Sequence, residues 1–276
     1  MCIMESYGYI TWNINPEIFR VGVFPVKYYS IFFGLAFYLS YTVLSVIYKK
    51  ENKPKYYLDK LTIYIFLGTL IGARLGQTFF YEFDYYKNHI TEIFLPFKIL
   101  GGKFEWTGYE GLASHGGAIG ILIAVYFYCK NYRQSFLWVV DRLVIVVALS
   151  SFFIRMGNLF NSEIFGKPST LPWAFIFKRV DLIPRHPTQI YEGLCYLVIF
   201  GVTYSLYRTK PAYPGLLFGI FLVLVFSVRF ILEFFKENQS TFENSLPINM
   251  GQILSLPFIL VGVFFIIQSK KIKSYG

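Results

Sequence analysis

FLWVVDRLVIVVALSSFFIRMGNLFNSEIFG, residues 136–166, decides how this chain is to be read. From Phe136 to Gly157 it is long and apolar enough to cross a bilayer, whose core of about 30 Å takes about 20 helical residues. Yet Asp141 and Arg142 stand near its start, Arg155 near its end, and Asn158, Asn161 and Glu163 follow at once. An arginine at the bilayer centre costs about 2.5–3.5 kcal/mol on insertion scales, so an intramembrane arginine asks for a function.

Working outward, the chain has 276 residues that are 55% hydrophobic, 21% aromatic and only 15% charged, far more apolar than a soluble domain. Mean hydropathy is +0.48. Spanning runs are expected at 26–48, 58–81, 113–130, 136–157, 189–207, 214–235 and 249–269. The fold class is therefore all-α: a polytopic membrane protein of about seven helices, forming a single integral membrane domain over 1–276. The first run follows polar, Pro-containing sequence without a small-residue cleavage site, which argues against a cleaved signal peptide.

Lysine and arginine in the short loops orient the helices. Lys49, Lys50, Lys53, Lys55 and Lys60, then Lys130 and Arg133, Arg208 and Lys210, and Lys270, Lys271 and Lys273 mark the cytoplasmic side. The N-terminus and the long loops near 82–112 and 158–188 then lie outside, and the C-terminus is cytoplasmic. The net charge of +10 is thus a topology signal, with attraction to anionic lipid as a consequence. Without a basic stripe on a soluble module, nucleic acid is not an expected partner. Cys2, Cys129 and Cys195 form no CxxC, and His89, His115 and His186 lack ligand spacing, so no metal site is expected.

With that orientation the polar residues collect at one depth. Arg74, Arg155 and Arg229 fall in the outer halves of helices 2, 4 and 6, where His115, Tyr28, Tyr29, His186, Tyr191 and Glu192 also arrive from outside. The cytoplasmic halves are nearly featureless, unlike a conducting pore. Arg142, beside Asp141 near the cytoplasmic start of its helix, is expected to snorkel to water. Arg229 and Glu233 stand at i, i+4, compatible with an internal ion pair, and Arg155 and Asn158 at i, i+3 share a face. A structural alternative makes Asn158 and Asn161 caps of a helix end. Glycines 68, 72 and 76, and 116, 117 and 120, read as small-xxx-small helix contacts. His115 suits a helix start or a proton acceptor, and His186-Pro187 a turn.

HGGAIG (115–120), RMGNLFNSEIFG (155–166), HPTQIYE (186–192) and RFILEFF (229–235), with GARLGQTFFYEFDYY (72–86) and VKYYS (26–30), together resemble the prolipoprotein diacylglyceryl transferase family. The resemblance implies a bacterial inner-membrane enzyme that moves the diacylglyceryl group of phosphatidylglycerol onto the lipobox cysteine of a prolipoprotein signal peptide, releasing glycerol 1-phosphate. It implies that Arg155 binds the lipid phosphate, that Arg229 is a second essential arginine, and that Tyr29, His115, Asn158, Glu163, Gly166 and Glu233 belong to the site. Asn161, Arg74, Tyr191 and Lys236 are assigned with them to substrate binding. The chain departs from the family at Lys236 and Val225, where arginine and tyrosine are usual, and at ENQS (237–240) in place of a Pro-Asp.

This chemistry suits the residues. The nucleophile is the substrate's thiol, and the leaving phosphate gains charge that a guanidinium in a water-poor pocket stabilises, so no cofactor is expected. Two routes for the thiol proton stay open: His115 as general base, or thiolate formation in the positive field of Arg155 and Arg229, which is favoured. Rival readings are another lipid-modifying enzyme, such as a phosphatase or acyltransferase, and a seven-helix transporter, although no internal repeat is found.

Overall fold

Each apolar run becomes a helix, because in lipid a backbone must satisfy its own hydrogen bonds. The computed structural model describes residues 8–22, 24–93, 97–100, 103–106, 113–209, 213–237 and 248–271. Cys2, Lys210 and Lys273 lie outside them. The helices are α1 (Tyr28–Lys50), α2 (Lys55–Phe80), the single turn α3 (Phe83–Tyr86), α4 (Ser114–Tyr132), α5 (Phe136–Asn161), α6 (Thr188–Thr209), α7 (Leu216–Leu232) and α8 (Met250–Ser269).

Six of these are long and apolar enough to cross a membrane: α1, α2, α5, α6, α7 with the 3-10 turn after it, and α8. The expected seventh span, 113–130, forms α4, which is not among the six. Its 19 residues are roughly 28 Å long, and they open on Ser-His-Gly-Gly and close on Lys-Asn-Tyr, so its apolar part is shorter than the helix. An all-α class is also incomplete. The loops carry a three-stranded sheet, β1 (Ile10–Trp12) parallel to β6 (Phe175–Phe177), which is antiparallel to β7 (Pro184–Arg185). Two hairpins join β2 (Glu17–Val21) to β3 (Phe24–Lys27), and β4 (Phe97–Leu100) to β5 (Lys103–Trp106).

The chain divides into two compact units, one of residues 1–44 and 140–276 and a second of 45–139. In the second, Gly68, Gly72 and Gly76 of α2 meet Gly116 and Gly120 of α4 backbone to backbone, the small-residue packing expected from sequence. A Cβ on Gly72 would lie 2.7 Å from the Gly120 Cα.

In the first unit α6, α7 and α8 pack in sequence, with Gly219 of α7 against Gly262 of α8. Asp141 accepts from the N–H groups of Gly215 (2.7 Å) and Phe218 (2.9 Å), capping α7 where Gly215 takes φ 80°. Arg142, expected to reach water, is instead only 3% exposed. Asn249 and Gln252 form a capping box at the start of α8. The sheet covers the end of α5: Leu159, Phe175 and Phe177 form a core with Trp12, Met156, Phe165 and Ile190 packed on it. The Trp12 indole donates to the Leu159 carbonyl at 3.0 Å. The fold thus fixes where α5 stops, and α5 carries the site.

Candidate active site

Helix α5 runs one turn beyond its apolar stretch, so Asn158 and Asn161 are helical rather than in a loop. Ser162 (φ 56°) and Ile164 (φ 58°) then turn the chain back sharply, and Glu163 returns its N–H to the Asn158 carbonyl at 3.0 Å. Its carboxylate accepts from Asn158 Nδ2 (2.8 Å) and Asn161 Nδ2 (3.2 Å). The Asn158 Oδ1 in turn accepts from Arg155 Nη1 at 3.1 Å. The asparagines therefore orient charged groups as well as closing a helix.

Arg155 Nε pairs with Glu192 Oε2, and Lys236 Nζ pairs with Glu192 Oε1. Lys236 also lies 3.8 Å from Glu233 Oε2. One continuous chain of polar links results, Glu163–Asn158–Arg155–Glu192–Lys236–Glu233. The Tyr196 hydroxyl accepts from Arg155 and lies within electrostatic reach of Arg229. Tyr29 is within the same reach of Glu163 and Arg155, and its ring lies against Gly157, where a Cβ would stand 2.7 Å from Cδ2. The expected Arg229–Glu233 pair does not form. Glu233 keeps its i, i+4 place, its N–H donating to the Arg229 carbonyl, but its carboxylate lies toward Lys236, which the 3-10 turn that starts at Glu233 carries. Arg229 Nε is buried with no hydrogen-bond partner among the described residues, as befits a donor kept for an anion.

A three-segment ladder outside the helices holds Lys236 in place. Gly166 N–H donates to the His186 carbonyl (2.9 Å), Lys167 N–H to the Phe235 carbonyl (2.8 Å), and Gly166 bridges Lys236. A Cβ on Gly166 would meet the Phe235 carbonyl oxygen at 2.5 Å and His186 Cβ and Thr188 Cγ2 at 2.7 Å, so the closeness of these segments requires glycine. Arg185 ties the ladder from outside, through Asp181 and through Glu237 at 2.6 Å. That pairing holds the Asp181 carboxyl below the usual carboxylate range, and burial lowers the basicity of His186. His186 packs on Tyr191 and Phe235, and Tyr191 accepts from the Trp173 indole at 2.9 Å, placing Tyr191 in an aromatic rim.

Of the residues expected at the site, Tyr29, Arg155, Asn158, Asn161, Glu163, Gly166, Tyr191, Arg229, Glu233 and Lys236 all belong to this unit. Arg74 and His115 belong to the other. There Arg74 donates to the carbonyls of Ile93 (2.7 Å) and Glu92 (3.0 Å) and to the Tyr86 hydroxyl (2.9 Å), securing the turn beyond α2. His115 is exposed in the first turn of α4. Sequence reasoning brought Glu192 to the same depth as the arginines but gave it no role, and passed over Tyr196. Glu192 is the only carboxylate of its apolar run, and a buried arginine requires a counter-ion, so the signal was present. Among the described residues, no group of His, Cys, Asp and Glu is arranged to hold a metal ion.

The model of the family described as prolipoprotein diacylglyceryl transferase matches residues 16–268. A phosphatidylglycerol–prolipoprotein diacylglyceryl transferase of Bacteroides fragilis is 43% identical over 96% of this chain and 97% of its own length. Its counterpart in Chloroherpeton thalassium is 45% identical over 97% of both chains, and that of Tolumonas auensis 43% over 95% and 98%. With the family's matched segment running through every element that builds the site, the chain belongs to the prolipoprotein diacylglyceryl transferase family.

Proposed function

We propose that this chain transfers the diacylglyceryl group of phosphatidylglycerol to the lipobox cysteine thiol of a prolipoprotein signal peptide, forming a thioether and releasing glycerol 1-phosphate. The substrates are those named for its relatives. The observation that carries the reading is the set of three cations, Arg155 on α5, Arg229 on α7 and Lys236 after the turn that follows it, with a buried Arg229 nitrogen that has no hydrogen-bond partner among the described residues. Arg155 and Arg229 hold the lipid phosphate and take up the charge that builds as the carbon–oxygen bond breaks. Asn158, Asn161 and Glu163 keep the Arg155 guanidinium in plane, Tyr29 and Tyr191 line the approach, and Gly166 and Glu233 set Lys236. Arg74 and His115, which lie on the other unit, are proposed for the substrate-binding and catalytic set from the sequence alone.

The protein works as a multi-pass protein of the bacterial inner membrane, a single integral domain of seven spans with the N-terminus and the loops near 82–112 and 158–188 outside and the C-terminus cytoplasmic. Both substrates then arrive laterally through lipid, which is where a site at one end of apolar helices can receive them. Incubating purified protein with phosphatidylglycerol and a lipobox peptide should add the mass of one diacylglyceryl group to the peptide. No gain with phosphatidylglycerol, or an equal gain from phosphatidylethanolamine, would sink this reading. A periplasm-only reporter fused after Lys273 should be silent, and its activity would overturn the orientation.

A further inference from the structure

The charges of the site balance before any substrate arrives. Arg155, Arg229 and Lys236 supply three positive charges, and Glu163, Glu192 and Glu233 three negative ones. A phosphodiester adds one negative charge, and ionising a thiol adds another. A field from the two arginines alone, the route favoured from sequence, is therefore already offset by resident carboxylates, and the thiol proton needs a nearby acceptor.

The three carboxylates differ in what the lipid takes from them. Glu163 is held by the amides of Asn158 and Asn161, neutral donors with no reason to turn to a phosphate. Glu233 lies against Gly251 at the start of α8, where a Cβ would approach its Oε1 to 2.6 Å, and reaches Lys236 only at 3.8 Å. Glu192 is 2% exposed and has both oxygens committed to cations, one to Arg155 and one to Lys236. As a phosphate draws on those cations, Glu192 is left a buried carboxylate short of counter-charge, and a proton relieves that state.

We propose that Glu192 is the acceptor of the substrate thiol's proton, an inference that rests on the diacylglyceryl transfer proposed above. The S–H bond breaks with its proton passing to the Glu192 carboxylate, while the sulfur pair forms the bond to the glyceryl carbon. The bond from that carbon to the phosphate oxygen breaks, and its electron pair leaves on the phosphate, held by Arg155 and Arg229 with Lys236 drawn toward it. When glycerol phosphate departs, the two cations close back on Glu192 and its proton passes to water. The lipid thus creates the base it needs by competing for that base's own counter-ions.

The test compares a cysteine lipobox peptide with the same peptide carrying selenocysteine, whose selenol is already ionised at neutral pH and needs no acceptor. Glu192→Gln should bind phosphatidylglycerol at least as tightly as the wild type by native mass spectrometry in detergent. With the cysteine peptide its kcat should fall about 10²- to 10⁴-fold, and with the selenocysteine peptide its deficit should shrink to about tenfold or less. Equal losses with both peptides, near-normal turnover of the cysteine peptide, or loss of lipid binding in both Glu192→Gln and Glu192→Asp would overturn the proposal. So would a selenium-rescued loss in His115→Gln, which would move the role to that histidine. A wild-type chain inactive with both peptides would overturn the transfer reading itself, and the inference with it.

Discussion

Replacing Gly166 with alanine should cripple turnover while leaving the membrane helices folded. The added methyl would stand 2.5 Å from the Phe235 carbonyl oxygen and 2.7 Å from both His186 Cβ and Thr188 Cγ2. None of these can step aside cheaply. The Phe235 carbonyl already accepts from Lys167 at 2.8 Å, and Thr188, fully buried, is pinned through its hydroxyl to the Ile164 carbonyl at 2.9 Å. Overpacking of this kind costs about 1–3 kcal/mol. The ladder relieves it by letting the 235–236 segment move outward, which draws the Lys236 ammonium off Glu192. A displacement of about 1 Å in a positioning group costs about 10²-fold, so kcat should fall roughly 10- to 100-fold at saturating lipid. The matched control is Gly201→Ala, within α6, where a Cβ would meet nothing within 4 Å and should leave turnover unchanged. Both variants should be assayed for peptide turnover and for thermal unfolding in detergent. Full turnover in Gly166→Ala would refute the reasoning, as would an equal loss in Gly201→Ala.

Arg155→Lys keeps the charge but loses the bond to Asn158, and at about 1.5–3 kcal/mol for a charge-assisted bond, kcat/KM should drop about 10- to 150-fold. Near-normal kcat/KM at normal protein level would reduce Arg155 to a helix-end role. Lys236→Arg should retain turnover within a few-fold, and a severe loss in the peptide assay would show that this rim needs a compact ammonium. Gly72→Val must push α2 from α4 and should lower thermal stability by about 1–3 kcal/mol, whereas Gly117→Ala, whose Cβ would sit 3.6 Å from Ala73, should be silent; equal melting of Gly72→Val and wild type would contradict the packing. Burial depresses the His186 pKa, so the unfolded chain binds the proton more readily and stability should fall as pH drops below 6.5. Asp181 acts in the same direction further into acid, its stabilisation being lost as pH falls through its depressed pKa. Melting curves of His186→Asn should lose the first of these two steps.

The long helices were legible because a bilayer reads only length and apolarity, and most site residues were legible because charge inside an apolar run is conspicuous. What stayed hidden depends on distant pairing. Strands of two or three residues carry no periodicity, and β1 pairs Ile10 with Phe175, a partner no local pattern names. The i, i+4 spacing of Arg229 and Glu233 suggested an ion pair, and the helix keeps that spacing, yet the Glu233 carboxylate lies toward Lys236, a competitor that spacing alone does not rank. Arg142 was placed in water by its proximity to a loop, yet packing takes it inside. Glu192 was visible as a residue, but its role as the joint between Arg155 and Lys236 needs three segments from across the chain to be brought together.

That joint also gives meaning to the lysine at 236, where the family usually carries arginine. Arg155 is held along two edges at rest, by Glu192 at Nε and by Asn158 at Nη1, and the Asn158 bond can keep its guanidinium in plane while the lipid phosphate competes for the Glu192 edge. Lys236 has one nitrogen with three rotatable donors, set between Glu192 and, more distantly, Glu233. In the proposed exchange an ammonium can swing from carboxylate to phosphate without changing plane, and an arginine here would make the same exchange by giving up one edge of its fork, which is why Lys236→Arg should stay active. The fixed arginine then supplies direction and the mobile lysine supplies the handover. The carboxylate between them changes partners, and this makes a site that is electrically neutral at rest able to accept both an anion and a proton.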